Sequence, residues 1–311
     1  MNLGLNLMNR GPLATAQHLT AMAQRADALG YTSMTISDHI VLVRDMPDKY
    51  PYSVDGTISF AGWANWHDCL ALMGYVAGCT KRLRFGTSVL VVPYRHPLVT
   101  AKQLATLDSL SGGRTFFGVG TGWWQAEFEA MGLGGHFRER GDRTDEYVAI
   151  CKNLWTEEVP SFSGRFHRYE NLEFSPKPVQ RGGIPIWVAG HTGRALRRMA
   201  DLGDVWHPVI LTPPANLNPE ELRAKRRRLE ALYQERGRDP GTIRIIPKTF
   251  LEFTDKRTRL MSGESGQIVE DLRAYAAEGV EEMIFTVPGT SAAEQLESLQ
   301  RIAEEILPHV M

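Results

Sequence analysis

The stretch MNLGLNLMNRGPLATAQHLTAMAQRADALGYTSMTISDH, residues 1–39, decides the fold. Residues 3–7 make the short apolar run of a buried strand, and residues 15–29 repeat Ala, Leu and Met at helical spacing before Gly30. Residues 32–37 are apolar again and run into Asp38-His39. Strand, helix, glycine stop and strand is the punctuation of a parallel β-α-β unit.

The same alternation continues outward from this unit. A polar, proline-rich stretch at 44–65 interrupts it, followed by a helix at 66–78, a strand at 83–92, a helix at 97–110 and a strand at 114–120. Next come a short helix at 125–131, a long one at 141–155, and an aromatic, Pro/Gly-rich excursion at 157–183 that suits a hairpin. Strands at 184–189, 205–211, 243–253 and 281–287 then alternate with helices at 192–202, 219–236, 266–278 and 291–307. Eight strands alternating with eight principal helices predict an α/β fold, a (β/α)8 TIM barrel occupying residues 1–311 as one domain, with insertions at about 44–65 and 157–183. A doubly wound open sheet is the alternative, because alternation alone does not show closure.

Composition excludes several other classes. The 311 residues are 43% hydrophobic and 23% charged, with a formal net charge of −1, so neither disorder nor long-range attraction to nucleic acid or an anionic membrane has a basis. The basic run 225–228 sits among Leu222, Leu229 and Leu232 with glutamates nearby, the pattern of a solvated helix face. Three cysteines, Cys69, Cys79 and Cys151, form no Cys-x-x-Cys pair and fit a reducing compartment. No secretory leader or membrane-length apolar run stands out, and a cytoplasmic protein is expected.

In a parallel barrel the C-terminal strand ends surround one pocket, so the chemistry is sought there. The second strand ends on Asp38-His39, an acid beside an imidazole able to move a proton, although a turn or cap uses the same pair. The run Gly118-Val119-Gly120-Thr121-Gly122 after the fourth strand lets backbone approach a flat ligand or a phosphate, and lacks the Gly-x-Gly-x-x-Gly spacing of a dinucleotide fingerprint. Trp123 and Trp124 suit either core packing or a pocket wall. Gly190-His191-Thr192 opens a helix whose N-terminus can dock a phosphate, while Thr192 can equally serve as a plain cap. A metal site dispersed over His39, His191 and His207 is a competing arrangement, without any His-x-His or His-Glu-x-x-His motif behind it.

Taken together, LGLNL at 3–7, Ser37-Asp38-His39, GTSVLVVPYRHP from Gly86, LSGGRTFFGVGTGW from Leu110, ERGDRTDEY from Glu139 and PIWVAGHTGRALRRMADLGDVWHP from Pro185 resemble the bacterial luciferase-like flavin oxidoreductases, most closely their deazaflavin (coenzyme F420) branch. The resemblance runs from residue 2 to about 210. It implies a barrel whose mouth holds the ring of F420 or FMN, with His39 facing the reacting edge and Asp38 touching the cofactor or orienting that imidazole. It further implies that Ser88-Val89 form a bulge behind the ring, often with a non-prolyl cis peptide, that Thr121 and Gly122 contact the ring, and that Gly190, His191 and Thr192 hold the phosphate end. Sugar-phosphate dehydrogenases of that branch carry an acid directly after the Thr-Gly, where this chain has Trp123, which puts their substrate in doubt here.

The expected activity is hydride transfer between reduced F420 and a small organic substrate. The alternatives are an FMN-dependent monooxygenase using O2, a non-catalytic flavin-binding barrel, and a metal-dependent hydrolase. Tyr50, Tyr52, Phe60 and Trp63 in the first insertion, and the aromatic residues between 162 and 174 in the second, are candidates for substrate-pocket walls or for packing. A homodimer is implied by the resemblance alone.

Overall fold

Short segments too apolar to face water on either side become the strands of one parallel sheet, and the amphipathic segments between them cover it. The computed structural model describes residues 1–44, 65–212 and 216–310. Along the chain run β1 (Asn2–Leu7), α1 (Ala16–Leu29), β2 (Ser33–Ile36), α2 (Cys69–Cys79), β3 (Arg84–Thr87), β4 (Leu90–Val91), α3 (Pro97–Ser111), β5 (Thr115–Gly120), α4 (Gln125–Ala130) and α5 (Arg140–Thr156). A small hairpin, β6 (Phe162–Ser163) and β7 (Arg168–Tyr169), precedes β8 (Ile186–Ala189), α6 (Gly193–Leu202), β9 (Val205–His207) and α7 (Pro219–Glu235). The last part holds β10 (Arg244–Ile245), β11 (Lys248–Phe250), β12 (Glu252–Phe253), β13 (Ser262–Gly263), α8 (Ser265–Ala277), β14 (Glu282–Thr286), α9 (Ala292–Glu305) and α10 (Leu307–Val310). Most of the insertion expected at 44–65, including Tyr50, Tyr52, Phe60 and Trp63, lies outside the described residues.

Local chemistry sets the ends of these elements. In α1 the Thr15 hydroxyl accepts from the His18 N–H, and Gly30 takes the left-handed conformation (φ 85°) that stops the helix. Asp68 caps α2, so that helix starts at Cys69 instead of at Trp66. Asn218 and Glu221 form a reciprocal capping box around Pro219 at the start of α7.

The strands pair in the order β10-β9-β8-β5-β3-β2-β1-β14-β11, all parallel. The sheet is strongly curled. His207 on β9 and Ser88 just after β3 are separated in that order by β8 and β5, yet their side chains meet at 2.8 Å across the concave face. The same face buries its own apolar cluster of Phe116, Trp187, Val205, Ile246 and Ile284, with Phe116 stacked on Trp187 at a centroid distance of 3.8 Å. A second, larger core lies between the convex face and the helices. Full burial of a Leu, Val, Ile or Phe side chain contributes roughly 1.5–3 kcal/mol, so these two layers drive the collapse.

Two expected strands are interrupted. The strand at 83–92 breaks at Ser88-Val89, whose peptide bond is cis. Four steps from Gly86 to Leu90 face three from Phe116 to Val119, which makes this a bulge. The strand at 243–253 is broken at Ile246-Pro247, since proline has no N–H for a ladder. The hairpin is the expected excursion. Glu146 on α5 accepts from the backbone N–H groups of Arg165 and Phe166, Tyr169 donates to Asn153, and Phe162, Phe166, Tyr169, Leu172 and Phe174 pack on the outer core. This packing, on the outer core, is the role found for them. No helix among the described residues is long and apolar enough to cross a membrane, and all three cysteines are free thiols.

Candidate functional site

The concave-facing positions change character along the strands. Two residues beyond the apolar cluster, strand alternation brings Gly118, Ala189, His207, Lys248 and Thr286 to the same face at the C-terminal ends, and Asn6, Thr35 and Ser88 join them. Thr35 donates to Asn6 Oδ1 at 3.1 Å, and Asn6 Nδ2 donates to Thr286 Oγ1 at 3.4 Å. A polar layer therefore lies directly on an apolar one.

His39 follows β2, and its ring is largely covered, with a side-chain exposure of 13%. Its Nδ1 lies 2.6 Å from Glu127 Oε2. Glu127 comes from α4, is fully buried, and also accepts from Tyr94 Oη at 2.8 Å, Ile40 N at 2.7 Å and Val41 N at 3.3 Å. With four donors converging on one carboxylate, Nδ1 carries a hydrogen, and Nε2 is the atom at which the imidazole takes or gives a proton. Burial, reinforced by the Glu127 charge, keeps the Tyr94 phenol protonated. Trp66, Trp123 and Trp124 stand edge-on to the imidazole at centroid distances of 4.8, 6.2 and 5.8 Å, and the two adjacent tryptophans are nearly parallel. Trp124 is fully buried, whereas Trp123 is half-buried.

Asp38 is bonded by protein groups other than His39. Its buried carboxylate is gripped by Arg95 through two bonds, Nη1 to Oδ2 at 2.7 Å and Nη2 to Oδ1 at 2.8 Å. It also accepts from Val91 N at 2.9 Å and from the Cys69 thiol at 3.4 Å. Burial, with the Asp38 charge beside it, raises the Cys69 pKa well above the usual thiol value. Asp38 thus braces the end of β2 against β4 and α2, and Glu127 is the carboxylate that orients His39. Sequence reasoning missed Glu127. The available signal was its place between Trp124, Phe128 and Met131, an acid on the apolar side of a short helix, which calls for buried donors.

The glycine run lies against the neighbouring strand. A Cβ on Gly118 would stand 1.8 Å from the Thr87 carbonyl oxygen, and one on Gly120 would stand 2.3 Å from Val89 Cγ2. The glycines of β5 therefore make room for the Ser88-Val89 bulge of the next strand. Thr121 is half-buried, and the Gly122 carbonyl accepts from Arg140 Nε at 3.0 Å. At the N-terminus of α6, Thr192 accepts from Ala195 N at 3.3 Å, so it is a cap, and the Gly190 carbonyl accepts from Trp206 Nε1 at 2.8 Å. His191 is half-buried, and desolvation together with Lys225 lowers its pKa. Arg194 and Arg198 pair with Asp142 and Asp145 of α5, whereas Arg197 is exposed and has no ion pair among the described residues.

His207, Ser88 and Lys248 form a third group. His207 Nδ1 donates to the Ile246 carbonyl, so the neutral ring accepts at Nε2 from Ser88 Oγ. Lys248 Nζ reaches both Ser88 O and Ser88 Oγ at 3.4 Å. Burial pushes the His207 pKa down to about 4, with Lys248 adding to the effect. The unfolded chain then takes up this proton first. Stability is complete above the ordinary histidine value and falls as pH drops from about 6.5 toward 4, by up to ~1.4 kcal/mol per pH unit. Denaturant melts between pH 7 and pH 4 should show this slope, and His207→Gln should flatten it by about one proton; an unchanged slope would place the acid sensitivity elsewhere.

His39, His191 and His207 do not come together as a ligand set among the described residues. The one cluster of ligand-type atoms there is Asp38, Asp68 and Cys69, and Arg95 already occupies its two carboxylates. Asp38, His39, Ser88, Val89, Thr121, Gly122, Gly190, His191 and Thr192 follow the C-terminal ends of β2, β3, β5 and β8, four neighbouring strands.

Comparison with known proteins gives a consistent assignment. Residues 1–263 match the family described as luciferase-like monooxygenase. An uncharacterised protein of Mycobacterium tuberculosis is 32% identical over 298 residues, covering 93% of this chain and 94% of that protein. An FMNH2-dependent dimethylsulfone monooxygenase of Pseudomonas putida is 34% identical over 147 residues, 47% of this chain and 40% of that enzyme. Among solved structures, monooxygenase RslO1 of Streptomyces bottropensis superposes with a TM-score of 0.80 at 20% identity, covering 100% of both chains. The coenzyme F420-dependent tetrahydromethanopterin reductase of Methanopyrus kandleri superposes with a TM-score of 0.77 at 16% identity, covering 100% of this chain and 99% of that one.

Proposed function

Because this chain belongs to the luciferase-like monooxygenase family, we propose that it is a coenzyme F420-dependent oxidoreductase exchanging a hydride between cofactor and a small organic substrate. The observation that carries this reading is the Glu127-held imidazole of His39 at the strand ends. The bound deazaflavin supplies the hydride. The chain supplies the proton. Hydride transfer to or from a carbon bearing oxygen requires a proton to arrive at or leave that oxygen, and His39 Nε2 is the atom oriented to carry it. Trp66, Trp123 and Trp124 surround the imidazole with apolar surface and limit water there.

The residues present suit such a cofactor. The Ser88-Val89 bulge offers a wall to a planar ring, with Thr121 and Gly122 beside it. The α6 N-terminus at Gly190, His191 and Thr192, with Arg197 one turn on, offers N–H donors and a cation to a phosphate. The fold reading that belongs with this is a closed (β/α)8 barrel. Its support is that the two ends of the strand order, β10 and β11, are separated only by Ile246-Pro247, and that Lys248 N bonds Pro208 O while Ile284 N bonds Pro247 O.

A second reading, an FMN-dependent monooxygenase, is favoured by the identity to the dimethylsulfone enzyme. Titration of the purified protein with F420 and with FMN, followed by oxygen uptake with each reduced cofactor, separates the two. We expect saturable F420 binding and no oxygen consumption. Tight FMN binding with oxygen consumed would select the monooxygenase.

A further inference from the structure

Arg95 takes up the Asp38, Asp68 and Cys69 cluster, but a pair of histidines outside the pocket has ligand capacity left over. His96 stands exposed immediately before α3, and although it holds the cap position of that helix its side chain makes no capping bond. His167 sits in the turn between β6 and β7, where its carbonyl accepts from Gly164 N at 2.9 Å. The two imidazoles meet at a centroid distance of 5.2 Å with their planes 86° apart. Behind His167, its Nδ1 lies 3.3 Å from Oε1 of Glu146, a carboxylate only 9% exposed that also accepts from the backbone N–H groups of Arg165 and Phe166. That acceptor keeps the hydrogen on Nδ1 and leaves Nε2 as the basic atom. No hydrogen bond among the described residues uses His167 Nε2 or either ring nitrogen of His96. Burial, with His167 adding to it, lowers the His96 pKa, so this ring is neutral at pH 7 with a lone pair to give.

We propose that His96 and His167 form a two-imidazole site for a divalent transition-metal ion such as zinc, which clasps the β6-β7 hairpin to the start of α3. Two imidazoles sharing one tetrahedral ion at Zn–N distances of about 2.0–2.1 Å have centroids roughly 5 Å apart, the spacing of this pair. Glu146 stands where a metal-ligating histidine keeps a carboxylate on its other nitrogen, fixing tautomer and ring direction. The nearest cations are already compensated: Arg143 pairs with Glu139, and Arg165 with Glu139 and Asp142, while both guanidiniums lie over the Phe166 ring at 4.1 and 4.8 Å. Tyr147 of α5 stands edge-on to His167 at 5.0 Å and limits its rotation. Water completes the coordination, so affinity is in the micromolar range. The hairpin strands are two residues each, and an ion shared with α3 adds a tie they lack. This site goes beyond the oxidoreductase reading and does not depend on it.

Calorimetric titration of the metal-free protein with zinc chloride at pH 7.5 tests this. We expect one zinc per chain, and no binding of magnesium at the same concentrations, because neutral imidazoles suit zinc and magnesium demands oxygen ligands. His96→Gln and His167→Gln should each weaken zinc binding by about tenfold or more, and the double variant should be little worse than either, since one imidazole alone makes no bridge. Glu146→Gln can still accept from the Arg165 and Phe166 N–H groups and should weaken zinc by about tenfold through the lost carboxylate. Hydrogen exchange gives the second measurement: zinc should slow exchange over residues 162–169 in the parent protein and not in His96→Gln. Melting curves verify folding, and because His96 is exposed, its variant carries the test even if His167→Gln is destabilised. Absence of zinc binding, binding unchanged in both histidine variants, or dependence on only one of the two histidines overturns the proposal.

Discussion

Glu127→Gln should lower turnover by about 10²-fold or more while leaving cofactor affinity within a few-fold. The amide is nearly the same size, and one oxygen can still accept from Ile40 N and Val41 N. The other arm becomes an NH2 group facing two donors, the Tyr94 hydroxyl and His39 Nδ1. The imidazole can accept that NH2 only by moving its hydrogen to Nε2, which inverts the tautomer. The nitrogen that should accept a proton then already holds one. Nitrogen NMR of the His39 ring reads this inversion directly, and a role limited to packing would not produce it. The kinetic signature is a fall in kcat with KM nearly unchanged. His39→Ala should show the same loss of turnover, and the double variant should be little worse than either single one, because the two residues act as a unit. Turnover unchanged in Glu127→Gln would remove the pair from the mechanism.

Arg95→Met is the change expected to cost most stability, about 3–5 kcal/mol, corresponding to a drop in Tm on the order of 10 °C. The Asp38 carboxylate is fully covered and Arg95 is 14% exposed, so the variant leaves a buried anion with only the Val91 N–H and a thiol. The guanidinium also bonds Asp68, which caps α2, so one side chain joins three elements. Arg95→Lys should recover part of the loss, as a point charge without the two-pronged geometry. Asp38→Asn combined with Arg95→Met should be less harmful than the sum of the single changes. Denaturant unfolding of the four proteins measures the coupling, and simple additivity would show that the pair is not the source of the effect.

Much of the architecture was legible in the sequence because it is written in local periodicity. The helices at 97–110, 219–236 and 291–307 came out within a few residues of α3, α7 and α9, since Pro97, the Asn218-Pro219 start and Ser291 are read from neighbours in the chain. Periodicity alone does not show the strand breaks. The bulge at Ser88-Val89 is expected only from the family resemblance, because it depends on room made by glycines thirty residues later, which no window of sequence around it carries. The ordering of the site shows the same limit. His39 is legible from its place at a strand end, and the resemblance gives Asp38 either a cofactor contact or the task of orienting it, whereas the carboxylate that holds the imidazole lies 88 residues away at Glu127. Adjacency in the chain is a poor guide here: Asp38 bonds Arg95, Val91 N and Cys69, while His39 bonds Glu127.

The interlock between β5 and the bulge after β3 constrains how this pocket can be remodelled. Any L-residue at 118 or 120 drives a carbon into Thr87 or Val89, so the backing of the pocket and the strand behind it behave like a tongue and its groove. Libraries that diversify residues 88–91 alone, or 118–122 alone, will mostly return misfolded chains. Productive variants need both segments recombined as a single cassette, and natural drift in this part of the chain is expected to proceed by paired steps.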